Sequence, residues 1–163
     1  MGGFTIIELL VVVTIIAAML AIAAPGLSEF VADQRVRTTA SNIYADIALA
    51  RAKSIETSRR VYFEKLGTNW NNGWRVYSDT NDNATFDAGI DIELTRFEGF
   101  ASGTIYVCRI GAFSNNQIVF RPDGRVIHTG AATANDGIYV IDQWGQATAA
   151  TNKIRAVLIG ISG

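Results

Sequence analysis

Apolar residues are unevenly distributed along this chain, and they mark a separate segment at its start. From Phe4 to Ala24 the sequence FTIIELLVVVTIIAAMLAIAA holds 21 residues with one charged side chain, Glu8. This length matches the ~20 residues that an α-helix needs to cross the hydrocarbon layer of a bilayer. We therefore predict a helix whose first part has no soluble partner of its own and must contact lipid or other helices.

After Pro25 the helical pattern continues to about Ser58, but charged residues now separate the apolar ones. Apolar residues that recur every three or four positions are typical of an amphipathic helix that buries one face. The predicted apolar face consists of Leu27, Phe30, Val31, Val36, Ala40, Ile43, Tyr44, Ile47, Ala48, Ala52 and Ile55. Because Pro25 has no N–H to donate and its ring crowds the preceding turn, we expect it to kink the helix or to break it locally.

From Arg59 onwards apolar and polar residues alternate in short runs, as they do in half-buried strands. The predicted strands are 59–65, 73–79, 92–98, 103–110, 116–122, 125–129, 137–143 and 154–161. In FRPDGRV, Pro122, Asp123 and Gly124 favour a tight turn, because they supply a preset φ, a side-chain bond to the backbone and a positive φ. The pattern predicts an α+β fold, in which a long N-terminal α-helix packs on a small antiparallel β-sandwich or sheet domain.

Composition narrows the function classes. There are 14 Lys and Arg residues and 15 Asp and Glu residues, so no strong net charge attracts nucleic acid or anionic lipid to the whole protein. The lone Cys108 excludes an intramolecular disulfide, and its strand-like surroundings predict a buried thiol. The single histidine, His128, leaves little material for Ser-His catalysis, and the sequence contains no P-loop or dinucleotide fingerprint. We therefore predict a protein that is not an enzyme and needs no cofactor.

The N-terminal segment MGGFTIIELLVVVTIIAAMLAIAAPG resembles the class III signal of type IV pilins and type II secretion pseudopilins. The resemblance implies that a prepilin peptidase cuts between Gly3 and Phe4 and that the new amino group of Phe4 is methylated. It also implies that Glu8 pairs with the N-terminal ammonium of a neighbouring subunit. Such a pair would offset the cost of a carboxylate in lipid or in a dry helix bundle. A tolerated glutamate near a helix end is the alternative.

Three later segments resemble the GspH/FimT group of minor pilins and pseudopilins: TASNIYADIALARAKSIETSRRVYF, GWRVYSDTNDNATFDAGIDIELTRFEG and IVFRPDGRV. The implied organisation is a cleaved leader at 1–3, a transmembrane or filament-core half of the helix at 4–24, an amphipathic half at 25–58 and a β-rich domain at 59–163. The resemblance implies a structural subunit of a type IV pilus or of a type II secretion pseudopilus, with a role in assembly, initiation or at the tip. In this family Pro25 belongs to the assembly segment.

The resemblance also implies partners and a location. The partners are other pilin or pseudopilin subunits, the prepilin peptidase and an inner-membrane assembly platform. The subunit would cross the bacterial inner membrane once, with its β-rich domain in the periplasm, until it is assembled into the filament.

The segment DTNDNATFDAGID contains the spacing of a calcium-binding loop. The candidate ligands, at positions 1, 3, 5 and 9 of an EF-hand loop, are Asp79, Asn81, Asn83 and Asp87. Position 6 is Ala84 instead of glycine, and position 12 is Ile90 instead of a bidentate glutamate. Some pseudopilins bind calcium, so the resemblance favours a site, whereas the departures favour a solvated acidic turn.

Nucleic acid is the other candidate ligand, because some members of the FimT branch act as DNA receptors in natural transformation. Their basic Gly-Arg-x-Arg motif is missing here, since Gly145 is followed by Gln146, Ala147 and Thr148. The remaining candidates for DNA contacts are Arg125, Lys153 and Arg155. A DNA-binding pilin is therefore the alternative to a purely structural subunit.

Overall fold

The computed structural model describes residues 5–100, 105–110, 117–127, 137–142 and 154–158, without the side chains of 23–26, 28, 29, 109, 110, 139, 141, 142 and 154–158. The predicted helix is confirmed as α1, Ile6–Thr57. It continues through Pro25, so the expected local break is not there. The chain divides into two compact units, 1–35 and 36–163, each of which is described by itself.

The strand-rich part of the prediction is confirmed. The strands are β1 Val61–Lys65, β2 Trp74–Ser78, β3 Ile92–Phe97, β4 Ile105–Ile110, β5 Gln117–Phe120, β6 Val126–Ile127, β7 Gly137–Asp142 and β8 Ile154–Leu158. A short 3₁₀ turn, Trp70–Asn72, lies between β1 and β2. Each strand lies inside a segment that the alternation of apolar and polar residues predicts, so the α+β class is confirmed.

The described strands form two antiparallel sheets. One has five strands in the order β3-β2-β1-β5-β6, and the other has three in the order β4-β7-β8. The hairpin of β5 and β6 has the predicted turn: the N–H of Gly124 donates to the carbonyl oxygen of Arg121 at 2.8 Å, and Gly124 has a φ of 76°. Asp123 Oδ1 accepts the N–H of Arg125 at 3.0 Å, which is the predicted side-chain bond of Asp123.

The core of the unit 36–163 joins both sheets to the end of α1. Its buried members are Val36, Ile43, Ile47, Ala50, Val61, Phe63, Trp70, Trp74, Val76, Ile105, Val107, Ile118, Phe120, Ile138 and Val140. Trp74 is fully buried, stacks on Phe97 at 4.4 Å and donates from Nε1 to Asp46 Oδ2 at 2.7 Å. Asn71 connects the two sheets, since its Oδ1 accepts the N–H of Val107 at 2.7 Å.

Two details of the sequence prediction are wrong. Only Val36, Ile43 and Ile47 of the predicted apolar helix face are buried. Its exposed members are Leu27, Phe30, Val31, Tyr44, Ala48, Ala52 and Ile55. Ser54, which was not predicted, is buried and donates from Oγ to the carbonyl oxygen of Arg51 at 2.8 Å. Cys108 is exposed instead of buried. Side chains alternate along a strand, and because Val107 faces the core, its neighbour Cys108 points away from it.

Candidate assembly surface and acidic loop

In the unit 1–35 the helix carries an apolar surface. Twelve large apolar side chains between Ile6 and Ile22 are exposed, from 47% at Val12 to 81% at Ile6. Five of them are consecutive, Leu9 to Val13, and at 3.6 residues per turn they occupy all sides of the helix. A helix that is apolar all round is normally buried in a protein core or in a membrane. These side chains therefore form a candidate surface for contact with other helices or with lipid, which we call the assembly surface (residues 6–22).

Glu8 lies in the first turn of α1, one turn after Thr5. Its N–H donates to the carbonyl oxygen of Thr5 at 3.1 Å and to Thr5 Oγ1 at 3.3 Å. A threonine before the helix and a glutamate three residues later are the pattern of a capping box, and a carboxylate in the first turn suits the positive end of the helix dipole. The sequence analysis missed this role, although the spacing of Thr5 and Glu8 is its signal. Glu8 thus has a local structural reason as well as the predicted one between subunits.

The other predicted processing and assembly residues are Gly3, Phe4 and Pro25. Gly3 and Phe4 lie outside the described residues. Pro25 lies within α1, and its side chain is not described. Cleavage, methylation and the assembly role of Pro25 therefore stay predictions.

The loop between β2 and β3, residues 79–91, gathers the predicted calcium ligands. Asn81 Nδ2 and Asn83 Nδ2 donate to the same oxygen, Asp87 Oδ2, at 2.8 and 2.6 Å, and these bonds lower the pKa of Asp87. Inside the loop the N–H of Ala84 donates to Asp79 Oδ2 at 2.9 Å. Ala84 stands at the position of the EF-hand glycine, and its φ of 64° is the left-handed conformation that a glycine there supplies. The backbone therefore makes the sharp turn that this spacing requires.

Asp91, which the sequence analysis did not single out, closes this loop. Its Oδ1 accepts the N–H of Thr80 and its Oδ2 accepts the N–H of Asp87, both at 2.8 Å. Asp79 at the other end is only 3% exposed, and its Oδ1 is buried without a hydrogen-bond partner among the described residues. Most buried polar atoms are hydrogen-bonded, so this oxygen is an exception that calls for an explanation.

Aromatic contacts hold the middle of the loop on the face of the five-stranded sheet that is turned away from the main core. The rings of Tyr62 and Tyr77 stack at 5.0 Å, and Phe86 meets the Tyr77 ring edge-on at 5.2 Å. The guanidinium of Arg75 lies 4.0 Å from the centre of the Phe86 ring, and its Nη2 is 2.7 Å from Glu64 Oε2. Burial raises the pKa of the Tyr77 hydroxyl. Phe86 thus fixes the loop to the sheet.

A cleft of about 550 Å³ adjoins the loop. It is lined by Ser58, Arg59, Arg60, Asp79, Thr80, Asp82, Arg121, Pro122 and Ile127. Arg59 Nη1 donates to the carbonyl oxygen of Thr80 at 2.7 Å, and Arg60 Nη1 lies 3.3 Å from Asp82 Oδ1. The sequence analysis did not predict this cleft, because Arg121 is far from Arg59 and Arg60 along the chain.

The predicted DNA-contacting residues are divided between the two sheets. Arg125 is exposed at the turn before β6, in the five-stranded sheet. Arg155 lies in β8 of the three-stranded sheet, and its side chain is not described. Lys153 lies outside the described residues. DNA contact by these residues stays a prediction.

Two features are absent from the described part of the chain. There, no group of three or more His, Cys, Asp or Glu side chains is arranged to hold a metal ion. Among the same residues, no helix combines the length and the apolarity that are needed to cross a membrane.

The chain matches the model of a known protein family. The model of the family described as "Type II transport protein GspH" matches residues 39–159, from the buried part of α1 to the end of β8. The chain belongs to the GspH family. The predicted resemblance to type IV pilin-like proteins and to the GspH/FimT group is thereby confirmed.

Individual relatives are more distant. Over 103 residues the chain is 28% identical to the type IV major alpha-pilin of Moraxella bovis, with 63% of this chain and 65% of the relative covered. The chain thus matches 65% of the length of this curated relative. A crystal structure of the type IV minor pilin FimU of Pseudomonas aeruginosa is 17% identical, with 80% of this chain and 92% of FimU covered and a TM-score of 0.44. A second crystal form of FimU gives 16% identity, 74% and 91% coverage and the same TM-score of 0.44.

Proposed function

We propose that this GspH-family protein is a structural subunit of a filament, a minor pilin or pseudopilin of a type IV pilus or type II secretion pseudopilus. The observation that carries the proposal is the assembly surface, whose twelve large apolar side chains are exposed on all sides of the helix. Burying side chains that are already partly covered gains about 1 kcal/mol each, on the order of 10 kcal/mol together before ordering costs. That gain exceeds the roughly 2.5–3.5 kcal/mol that opposes one charged residue in a membrane helix. Such a helix favours a bundle of subunits even though it contains Glu8.

The finer steps of this proposal follow from the family resemblance. The prepilin peptidase cuts between Gly3 and Phe4, and Phe4 is N-methylated. Phe4–Ala24 holds the subunit in the bacterial inner membrane with the β-rich domain in the periplasm, until the assembly platform adds it to the filament. Within the filament the subunit acts in assembly, in initiation or at the tip, and it catalyses no reaction. The support for these steps is the Gly-Phe junction and the low charge of the segment that follows it.

In this proposal Glu8 pairs with the N-terminal ammonium of a neighbouring subunit. A purely local reason for the same residue is its place in the first turn of α1, where a carboxylate suits the capping box with Thr5 and the helix dipole. Two substitutions separate these reasons. Glu8→Gln removes the charge but retains a side chain that serves in a capping box as glutamate does. Thr5→Ala removes the capping hydroxyl and leaves the charge of Glu8 in place.

The test measures how much of each variant enters filaments. Filaments are sheared from cells, and the subunit is quantified in filaments and membranes, with N-terminal mass spectrometry to identify the mature end. We expect Glu8→Gln to lower the filament fraction by about tenfold or more, because hydrogen bonds to charged groups contribute roughly 1.5–3 kcal/mol. Thr5→Ala should change it little, and membrane amounts should be unaltered. The charge pairing would be contradicted if Glu8→Gln entered filaments normally or if both variants had equal defects. The proposed function itself would be contradicted if the wild-type protein were absent from filaments.

A second candidate function, a receptor for DNA, has one observation in its favour. Arg59, Arg60 and Arg121 line one cleft. Against it, Arg59 and Arg60 have polar partners within the chain, and the sequence lacks the basic pair of the receptor motif. We therefore expect few phosphate contacts.

Electrophoretic mobility shifts on duplex DNA test this alternative. We expect no shift by the protein at micromolar concentration and physiological salt. A receptor would bind with an affinity that falls with salt, by a log–log slope of about −0.9 per neutralised phosphate. A salt-sensitive complex would show that the protein is a DNA receptor. Arg59→Ala combined with Arg121→Ala would then test the cleft, and Lys153→Ala combined with Arg155→Ala would test the C-terminal residues.

A further inference from the structure

A buried carboxylate oxygen in the β2–β3 loop has no hydrogen-bond donor among the residues that the structure describes. Asp79 is 3% exposed, and its Oδ2 accepts the N–H of Ala84 at 2.9 Å, so its carboxylate is directed into the loop. Its Oδ1 is fully buried and has no hydrogen-bond partner in the described part of the chain. Burying a polar oxygen in this way is costly unless an ion or an ordered water meets it. The oxygen therefore marks a place for a ligand that carries positive charge.

We propose that the loop 79–91 binds one calcium ion, and the proposal is independent of the filament role. Its ligands are the side chains of Asp79, Asn81, Asn83 and Asp87 and the backbone carbonyl of Thr85. These are positions 1, 3, 5, 9 and 7 of a calcium loop. Asp79 Oδ1 is the oxygen that the ion would contact, while Oδ2 remains bonded to the N–H of Ala84.

Three of the other proposed ligands already contact one another. Asn81 Nδ2 and Asn83 Nδ2 both lie within hydrogen-bond distance of Asp87 Oδ2, at 2.8 and 2.6 Å. The nitrogen and oxygen of an amide occupy nearly equivalent positions, so a half-turn of each amide would present two carbonyl oxygens beside the Asp87 carboxylate. A cation would then replace the amide hydrogens as the group that holds these oxygens together.

The ligand set decides which ion fits and how tightly. It contains two carboxylates, two amides and one backbone carbonyl. Among the described residues no group of three or more His, Cys, Asp or Glu side chains could hold a metal ion, so the proposed site depends on the amide and backbone oxygens. Ca²⁺ accepts six to eight oxygen ligands of this mixed kind in a flexible geometry, whereas Mg²⁺ demands a near-ideal octahedron. Ile90 stands where a bidentate glutamate would be, and both oxygens of Asp91 accept backbone N–H groups. We therefore expect a weak site, with a Kd of about 10⁻⁴–10⁻³ M, as in extracellular calcium modules.

The experiment is calorimetric titration of the full chain in detergent, freed of metal with a chelator, with CaCl2 and separately with MgCl2. Asp79→Asn is the test variant. Asp82→Asn is its matched control, since Asp82 lies in the same loop, carries the same charge and is exposed at position 4, which supplies no ligand. We expect one calcium per wild-type chain, binding by Asp79→Asn weakened by about tenfold or more, and binding by Asp82→Asn changed by less than about threefold.

Asn81→Ala protects the test against misfolding of Asp79→Asn, because Asn81 is exposed and its loss leaves the bond between Asp79 and Ala84 intact. It should weaken calcium binding by about tenfold as well, with an unchanged circular dichroism spectrum. Absence of saturable calcium binding by the wild-type chain at about 10 mM would overturn the proposal, since this is above the weakest class of calcium loops. Equal losses in Asp79→Asn and Asp82→Asn would also overturn it, because they would indicate a general effect of charge.

Discussion

The two parts of helix α1 are both rich in apolar residues, yet they present them in opposite ways. Between residues 6 and 22 the large apolar side chains are exposed on all sides. Between residues 36 and 54 about one residue per turn is buried, and the exposed positions carry polar, charged and small residues together with Tyr44. The buried residues are Val36, Thr39, Ile43, Ile47, Ala50 and Ser54. The difference teaches that the placement of apolar residues around a helix matters more than their number.

A narrow stripe and an all-round surface suit different partners. The stripe of residues 36–54 is covered by the core of its own unit, which includes residues of both sheets. An all-round surface needs partners on several sides, which one small domain does not supply but a filament or a bilayer does. We therefore expect changes in residues 36–57 to affect folding and changes in residues 6–22 to affect assembly.

Two truncations should give the largest effect. A chain that begins at Glu29 retains the buried stripe and should be soluble without detergent, β-rich and cooperative in unfolding. A chain that begins at Ala48 lacks Val36, Ile43 and Ile47 and should not fold. Burial of three such side chains contributes roughly 5–9 kcal/mol, which is comparable with the ~5–15 kcal/mol stability of a whole domain.

Circular dichroism and urea unfolding check both truncations. If the chain from Glu29 fails to fold, residues 1–28 contribute to the stability of the domain and the division is wrong. If the chain from Ala48 folds, the stripe is dispensable and the proposed core is wrong.

One substitution made in both parts of the helix should give the next largest effect. Ile43 is fully buried and Ile16 is half exposed. We expect Ile43→Ala to lower the free energy of unfolding by about 2–5 kcal/mol, as large-to-small changes in cores do. Ile16→Ala should change it by less than about 0.5 kcal/mol, as surface substitutions do.

Urea unfolding of the full chain in detergent gives both free energies of unfolding. The fraction of each variant that enters filaments measures the effect on assembly. Incorporation into filaments should fall for Ile16→Ala. Equal loss of stability in the two variants would show that residues 6–22 already pack within the folded subunit.

An element of this fold was predictable from the sequence where one of its faces is apolar and the other is polar. The strands were predictable because apolar and polar residues alternate in them, and the β5–β6 turn because Pro122, Asp123 and Gly124 each favour one conformation. The exposure of Cys108 was not predictable in this way. In the run TIYVCRI, Ile105 and Val107 form one face while Tyr106 and Cys108 form the other, and both faces are apolar. Only the core, which takes up Ile105 and Val107, distinguishes them.

The candidate sites show the same limit. The calcium-loop spacing is local in sequence and was therefore visible, but the positive φ of Ala84 was not predicted, because the sequence analysis counted alanine in place of glycine as a departure. The closing role of Asp91 depends on backbone N–H groups, which carry no sequence signal. The cleft depends on residues brought together by three different segments, so no local pattern indicates that Arg121 lies beside Arg59.

The smallest expected effect concerns a carboxylate at the edge of the buried stripe. Asp46 Oδ2 accepts Nε1–H of Trp74 at 2.7 Å. Partial burial raises the pKa of Asp46, and the bond from Trp74 offsets only part of this increase. The protonated form is therefore favoured by folding, so its stabilising contribution is present below the pKa of the unfolded chain and is lost as the pH rises through the pKa of the folded protein.

Asp46→Asn makes the same side chain neutral at every pH while it keeps an oxygen for Trp74. We expect the variant to match the wild type near pH 3, below the usual Asp pKa of about 3.9, and to be more stable near pH 7. The gain should stay below about 1 kcal/mol, because Asp46 is only half-buried and solvent screens its charge. Glu56→Gln is the control, since Glu56 is exposed and pairs with Lys53 at 2.8 Å, so its loss should leave stability unchanged or lower it slightly. Urea unfolding at both pH values measures the difference. A variant that is less stable than the wild type near pH 7 would contradict the prediction, because it would mean that folding favours the Asp46 anion.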